Sequence, residues 1–316
     1  MVKHIAILVF SLLLVAACSD YHSAPRFEGE VYSVAGLLIS GHSIDLEHPL
    51  YITKSANISE FDPLNLFVTE AELKIFELDT GKSWELEHVI DFSQMRVKWI
   101  DPQGNIIQPG YRYRMELRIP GLTEIISAET TVPPPAELNP DYYGNGSAGA
   151  SPTLDEASMG EVAFKDADYR FPIALNTFDK AGTFNFIAEI YCLEEFSTNL
   201  EFTTPVMGIT HAPAEMESGY YASGESMRRI MIQARFASAF SAEHDSNYLL
   251  LRDYRQAYIF FGRYRVSAYL CDQNYYRYKY MPEGYLHGGI KNGLGYFGSA
   301  SGGAMYVRIV KGEEEE

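Results

Sequence analysis

Tyr111-Arg112-Tyr113-Arg114-Met115-Glu116-Leu117-Arg118-Ile119 decides the fold class of this chain. Tyr111, Tyr113, Met115, Leu117 and Ile119 alternate with Arg112, Arg114, Glu116 and Arg118. A period of two puts the first set on one face of a strand and the charges on the other. One buried and one wet face is the pattern of an antiparallel sheet.

The same period recurs on both sides. Upstream, the expected strands are 31–39, 49–55, 67–78, 83–90 and 95–101, with 124–132 downstream. Asp79-Thr80-Gly81-Lys82 and Pro102-Gln103-Gly104-Asn105 read as turns between them. Seven short strands in about a hundred residues favour a two-sheet sandwich. The run from Ile107 through Pro109-Gly110 to Leu117 is similar to the tyrosine corner of immunoglobulin-like and fibronectin type III domains. That similarity implies that the Tyr113 hydroxyl bonds back to the preceding loop, with Trp84 in the core.

Val132-Pro133-Pro134-Pro135 stops the ladder, and a stretch rich in Gly, Ser, Asn and Pro follows. The expected organisation is a first β domain over 30–134, a linker over 135–155 and a second β domain over 156–311. Residues 312–316 form an acidic tail. In the second domain, strands are expected at 169–176, 183–193, 228–236, 258–261, 264–271 and 304–310. Asp272 is placed to N-cap a short helix over 273–281. The fold class is mainly β, with two antiparallel domains: an immunoglobulin or fibronectin III-like sandwich, then a β-sandwich or barrel-like sheet.

The amino terminus sets location. MVKHIAILVFSLLLVAACSD has a basic start, an apolar run from Ile5 to Val15 and small residues before Cys18. This eleven-residue run, broken only by Ser11, falls well short of the roughly 20 residues needed to span a bilayer, and the order of features is that of a secretory signal peptide. Val15-Ala16-Ala17-Cys18 resembles the bacterial lipobox, which implies cleavage before Cys18, acylation of its sulfur and a tether over 18–29. Each buried CH₂ contributes about 0.8 kcal/mol, so several acyl chains anchor stably. The alternative is an ordinary signal peptide with a chance cysteine. The expected location is the cell envelope, at the outer membrane.

Removing 1–17 takes away only Lys3 among the charged residues, so the net charge moves from −17 to −18. Nucleic-acid binders need a basic face, and this balance argues against one. Cys192 continues the apolar phase of Phe184, Phe186, Ala188 and Ile190, whereas Cys271 is out of phase with Val266, Ala268 and Leu270. On a regular pleat the two sulfurs point to different faces, which disfavours a disulfide.

Leu286-His-Gly-Gly-Ile-Lys-Asn-Gly-Leu-Gly-Tyr-Phe-Gly, ahead of the last strand, resembles the C-terminal mark of domain-of-unknown-function family 4249. Ile290, Asn292, Gly293, Leu294, Gly295, Tyr296, Phe297 and Gly298 carry the match. The stretches LFVTEAELKIFE (66–77), PGYRYRMEL (109–117) and TTVPPP (130–135) agree with it, as does the lipobox. His287-Gly288-Gly289 is more glycine-rich than the pattern leads one to expect. The resemblance implies an anchored two-part β protein with a gene context near TonB-dependent transporters, and assigns no catalytic residue.

The residues themselves point to no catalytic or metal site and to no cofactor. Gly41-His-Ser-Ile-Asp45 and Gly298-Ser-Ala-Ser-Gly302 each miss the Gly-x-Ser-x-Gly nucleophile pattern. No two histidines stand at i, i+4. One asymmetry remains, since residues 225–281 hold nine basic and five acidic side chains, a local +4. Arg263, Arg265, Tyr275, Arg277 and Lys279 are therefore a candidate patch for an anion, an acidic glycan or an acidic partner loop. The competing structural reading pairs these cations with glutamates across strands. The function expected is that of a binding or accessory subunit held to the membrane through Cys18 and serving a transporter. The alternatives are a hydrolase of envelope polymers and a structural or adhesive surface module.

Overall fold

The computed structural model describes residues 30–55, 62–138, 153–164, 171–177, 185–221, 227–232, 237–241, 246–251 and 257–312. The signal peptide, Cys18 and its tether, most of the 135–155 stretch and residues 313–316 lie outside these.

The first half forms β1 (Tyr32–Ile39), β2 (Leu50–Lys54), β3 (Glu72–Glu77), β4 (Lys82–Asp91), β5 (Arg96–Ile100), β6 (Arg112–Arg118) and β7 (Ile126–Thr131). The second contributes β8 (Ala136–Leu138), β9 (Gly160–Phe164), β10 (Phe171–Thr177), β11 (Asn185–Cys192), β12 (Glu201–Val206) and β13 (Ile209–His211). Helix α1 (Glu217–Tyr221), β14 (Arg229–Ile232), β15 (Ala237–Ser241), β16 (Ser246–Leu251) and β17 (Gly262–Cys271) follow. Helix α2 (Gln273–Tyr280) and β18 (Leu294–Lys311) complete the set.

β4 is shared between two ladders. Its first half pairs with β3, and its second half, from Glu87, pairs with β5. The strands therefore run β1-β2-β5-β4 and continue β4-β3-β6-β7. Val34 and Ile52 from one run meet Ile75, Trp84, Met115 and Leu117 from the other in one buried cluster. Each fully buried aliphatic side chain there contributes roughly 1.5–3 kcal/mol. Alternation predicts the right face of β6, because Tyr113, Met115 and Leu117 are all fully buried.

A wholly antiparallel fold was the expectation, and two pairings correct it. β18 runs parallel to β1 from Leu294 to Ala300 and parallel to β9 from Val307 to Lys311. Between and beside these it pairs antiparallel with β17. One mixed sheet of twelve strands thus joins the two halves of the sequence through β1 and β18. Such parallel contacts link strands distant in sequence, which local periodicity cannot register. A second correction concerns 135–155, where residues 136–138 form β8 and pair with β10.

β18 serves three clusters. Phe297 enters the core of the first half, while Met305, Val307 and Ile309 enter that of the second with Val266, Ala268, Ile190 and Cys192. Its other face carries Ala300, packed with Ile39, Ile187, Cys271 and Tyr275 beneath α2. The two cysteines are free and buried, in different clusters.

Candidate functional site

Helix α2 lies over the face of the sheet made by β11, β17, β18 and β1. Asp272 starts it, its carboxylate accepting the Tyr275 N–H at 3.0 Å. The helical period then sorts DQNYYRYKY. Tyr275 is buried against the sheet, while Gln273 and Arg277 face solvent. Tyr276 and Tyr280, one turn apart, have ring centroids 5.0 Å apart. Tyr278 sits 4.3 Å from Tyr296 of β18, and Tyr296 lies 5.3 Å from Tyr275.

A cation is held inside this aromatic layer. The Lys279 ammonium stands 5.3 Å from the Tyr275 ring centre and 5.8 Å from that of Tyr278. Burial pushes its pKa down, and the charge of Arg229 pushes the same way against the opposing pull of Glu189. Glu189 of β11 grips Arg229 of β14 through contacts of 2.6 and 2.7 Å to one guanidinium nitrogen and 3.1 Å to another. Burial works to lower the Arg229 pKa, but Glu189 outweighs it and the net shift is upward. Nearby, the Tyr191 ring is flanked by two guanidiniums, Arg228 at 4.9 Å and Arg265 at 5.4 Å.

The five residues of the candidate patch have different places in this arrangement. Arg263 is taken by Glu194, whose Oε1 receives the Arg263 backbone N–H at 2.8 Å and Nε–H at 2.9 Å. Tyr275 is core. Lys279 is half-buried among tyrosines, Arg265 is exposed over Tyr191, and Arg277 is exposed on the outer side of α2. The residues that the sequence reading missed are Glu189, Arg229 and Tyr191, and Tyr296 entered it only as part of the family motif. A signal for one existed, since Glu189 interrupts the apolar run Phe186-Ile187-Ala188 and Ile190.

The motif residues support this face from behind. Gly295 has φ +97, and a Cβ there would sit 2.0 Å from the Val34 carbonyl oxygen, so glycine lets β18 lie against β1. Asn292 adopts φ 61, and its side-chain amide donates to the Ile125 carbonyl at 3.0 Å. Gly293 leaves room for Ile126 and the Tyr32 carbonyl, each 3.1 Å from where a Cβ would stand. The Tyr113 hydroxyl accepts the Gln108 N–H at 2.8 Å and donates to Glu77 at 2.9 Å. His287 is exposed, and the Gly288 carbonyl accepts the Phe297 N–H, so this stretch packs against β18.

Two grooves flank these elements. One of about 300 Å³ lies between β7 and the start of α2, lined by Arg112, Glu129, Thr130, Thr131, Asp272 and Asn274. The other, about 610 Å³ and apolar, lies beside the β12–β13 hairpin against Phe202, Pro205, Val206, Ile209, Met216 and Ile259. Among the described residues no three His, Cys, Asp or Glu side chains cluster to hold a metal ion, and no helix is long and apolar enough to cross a membrane.

Residues 29–303 match a protein family described as "Domain of unknown function (DUF4249)". No curated protein matches the chain. Among solved structures, one of a DUF4785 family protein from Legionella pneumophila is 11% identical. That match covers 76% of this chain and 52% of its own, with a TM-score of 0.22. The chain thus spans about half the length of that protein, and a superposition so loose bears on neither fold nor function.

Proposed function

This chain belongs to the DUF4249 family, and from that premise we propose that it is an envelope lipoprotein that acts by binding. The observation that carries the reading is Val15-Ala16-Ala17-Cys18 at the end of a short apolar run. Lipid on Cys18 anchors the chain at the outer membrane. The first unit, with strand runs β1-β2-β5 and β4-β3-β6-β7 around one core, is an immunoglobulin or fibronectin III-like sandwich. The second unit is a β-sandwich that carries the α2 face. That face, with Arg265 and Arg277 exposed beside half-buried tyrosines, receives an acidic glycan or the acidic loop of a transporter.

Two measurements test this. Mass spectrometry of the processed protein is expected to find a diacylated cysteine as first residue, and an unmodified terminus or cleavage at another bond sinks the anchoring. A pull-down of the native lipoprotein from solubilised membranes is expected to bring a transporter with it. Binding should weaken with salt and in the double variant Arg265→Glu, Arg277→Glu. Affinity indifferent to both would remove α2 as the binding face.

A further inference from the structure

Three side chains from three distant stretches meet at the seam between β7, β18 and α2. Thr130 Oγ1 lies 2.7 Å from Asp272 Oδ2 and 2.7 Å from Ser299 Oγ. Ser299 Oγ lies 2.9 Å from the Thr131 carbonyl oxygen. All three residues are buried, with Ser299 at 0%, Thr130 at 4% and Asp272 at 7% exposure. The other carboxyl oxygen, Oδ1, accepts the N–H groups of Tyr275 at 3.0 Å and Ser299 at 3.2 Å.

The protons can be counted along this line of oxygens. Three oxygen–oxygen contacts of hydrogen-bond length each need one proton. A hydroxyl donates only once, so Thr130 and Ser299 supply two. The Thr131 carbonyl has none to give. With an ionised Asp272, one contact leaves two lone pairs facing each other at 2.9 Å or less, too close for a water to stand between them. Two buried acceptors so opposed are unfavourable.

We propose that Asp272 is a neutral carboxylic acid in the folded protein, with its Oδ2 proton on Thr130 and ionisation acting as a pH-sensitive latch on the seam. The relay then reads Asp272 to Thr130, Thr130 to Ser299, Ser299 to the Thr131 carbonyl, with every contact filled. Oδ1 keeps its two N–H donors as a carbonyl oxygen. The charged groups facing the seam are Arg112 from β6 and Glu129 from β7, across the adjoining groove. They are of opposite sign, and Arg112 already meets Asp79 at 3.4 Å. From β17, the Cys271 thiol is driven up by burial and brings no charge to the seam. Burial raises the Asp272 pKa above its ordinary value in spite of the hydrogen bonds it accepts.

The sign of the pH dependence follows. The unfolded chain releases this proton in the ordinary carboxylate range and the folded chain at higher pH. The stabilisation is therefore whole on the acid side and is lost as pH rises through the folded pKa. Loss of the proton leaves the Oδ1 cap on the Tyr275 N–H in place and puts the unfilled contact between Ser299 of β18 and Thr130 or Thr131 of β7, so the seam loosens where β7 meets β18. The inference is independent of what the α2 face binds.

The test is a carbon-13 titration of the Asp272 side chain in the full chain. Asp272 is expected to titrate above the other aspartates. Ser299→Ala frees the Thr130 proton for the carboxylate, so the midpoint should fall by about one pH unit, a tenfold change in proton affinity. Asp272→Asn, which keeps a donor at the Oδ2 position, should melt at the wild-type acid temperature and lose the decline with pH. An Asp272 that titrates with exposed aspartates, or a midpoint unmoved in Ser299→Ala, overturns the proposal even if Asp272→Asn fails to fold.

Discussion

Tyr275 packs directly on Gly298. A Cβ at Gly298 would stand 2.7 Å from Tyr275 Cβ, 2.8 Å from Asp272 Oδ1 and 3.0 Å from the Tyr275 nitrogen. None of these atoms is the free end of a flexible side chain, so relief requires α2 to lift off β18. Gly298→Ala is therefore expected to destabilise by about 1–3 kcal/mol, as overpacking does in a filled core. A thermal melt unchanged from the parent would show that the helix floats over the strand.

The Tyr113 hydroxyl joins the Gln108 N–H to the buried carboxylate of Glu77, which the Thr80 hydroxyl also approaches. Tyr113→Phe keeps the ring against Trp84, 6.3 Å between centres, and removes only the oxygen. Two buried partners are left without it, so the loss should be about 1–3 kcal/mol in urea unfolding. A urea midpoint unchanged in Tyr113→Phe would argue that water replaces the hydroxyl.

Lys279 is expected to titrate below the other lysines, because burial and Arg229 both disfavour its charge. The neighbours have opposite signs and so give opposite shifts. Arg229→Met should raise the Lys279 pKa, and Glu189→Gln should lower it further. Above the folded pKa the native chain holds fewer protons than the unfolded one, so this group makes stability rise with pH until the unfolded lysine also deprotonates. Carbon-13 titration of the lysine ε-carbons reads all three, and a Lys279 that follows the exposed lysines in every variant contradicts the geometry. Breaking the Glu189–Arg229 pair itself should cost on the order of 2 kcal/mol, between the exposed and the buried case.

Cys192 and Cys271 sit in separate clusters, each at 0% exposure, and burial pushes both thiols up. A water-soluble thiol reagent should leave both untouched in the native protein and label both after unfolding. Native labelling of either, or a mass two hydrogens short, would contradict their placement.

Periodicity alone was enough for the faces of the first-half strands. Tyr113, Met115 and Leu117 face inward because alternation on a pleat is a local property, and the chain within five residues carries it. The same holds for Asp272 as the cap of α2 and for the opposed phases of Cys192 and Cys271. The glycines of 293–303 misled for a physical reason. A glycine in a turn and a glycine that lets two backbones touch look alike in one dimension, so the strand expected over 304–310 is only the end of an 18-residue strand, Leu294–Lys311. Where each cation of the candidate patch goes was decided in the same way, because Arg263 finds Glu194 only once β17 lies beside the end of β11.

By itself, then, the sequence determined the β class, the strand faces, the helix cap and the signature that places the chain in its family, all of them set within a few residues. The tertiary structure alone decided that β1 and β18 join the two halves in one sheet, that Glu189 neutralises Arg229 under Lys279, and that Thr130, Asp272 and Ser299 meet at one seam. Those contacts span up to 261 residues of chain, from Ser33 to Leu294. Only closure of the whole sheet brings such partners within reach, and no local pattern records it.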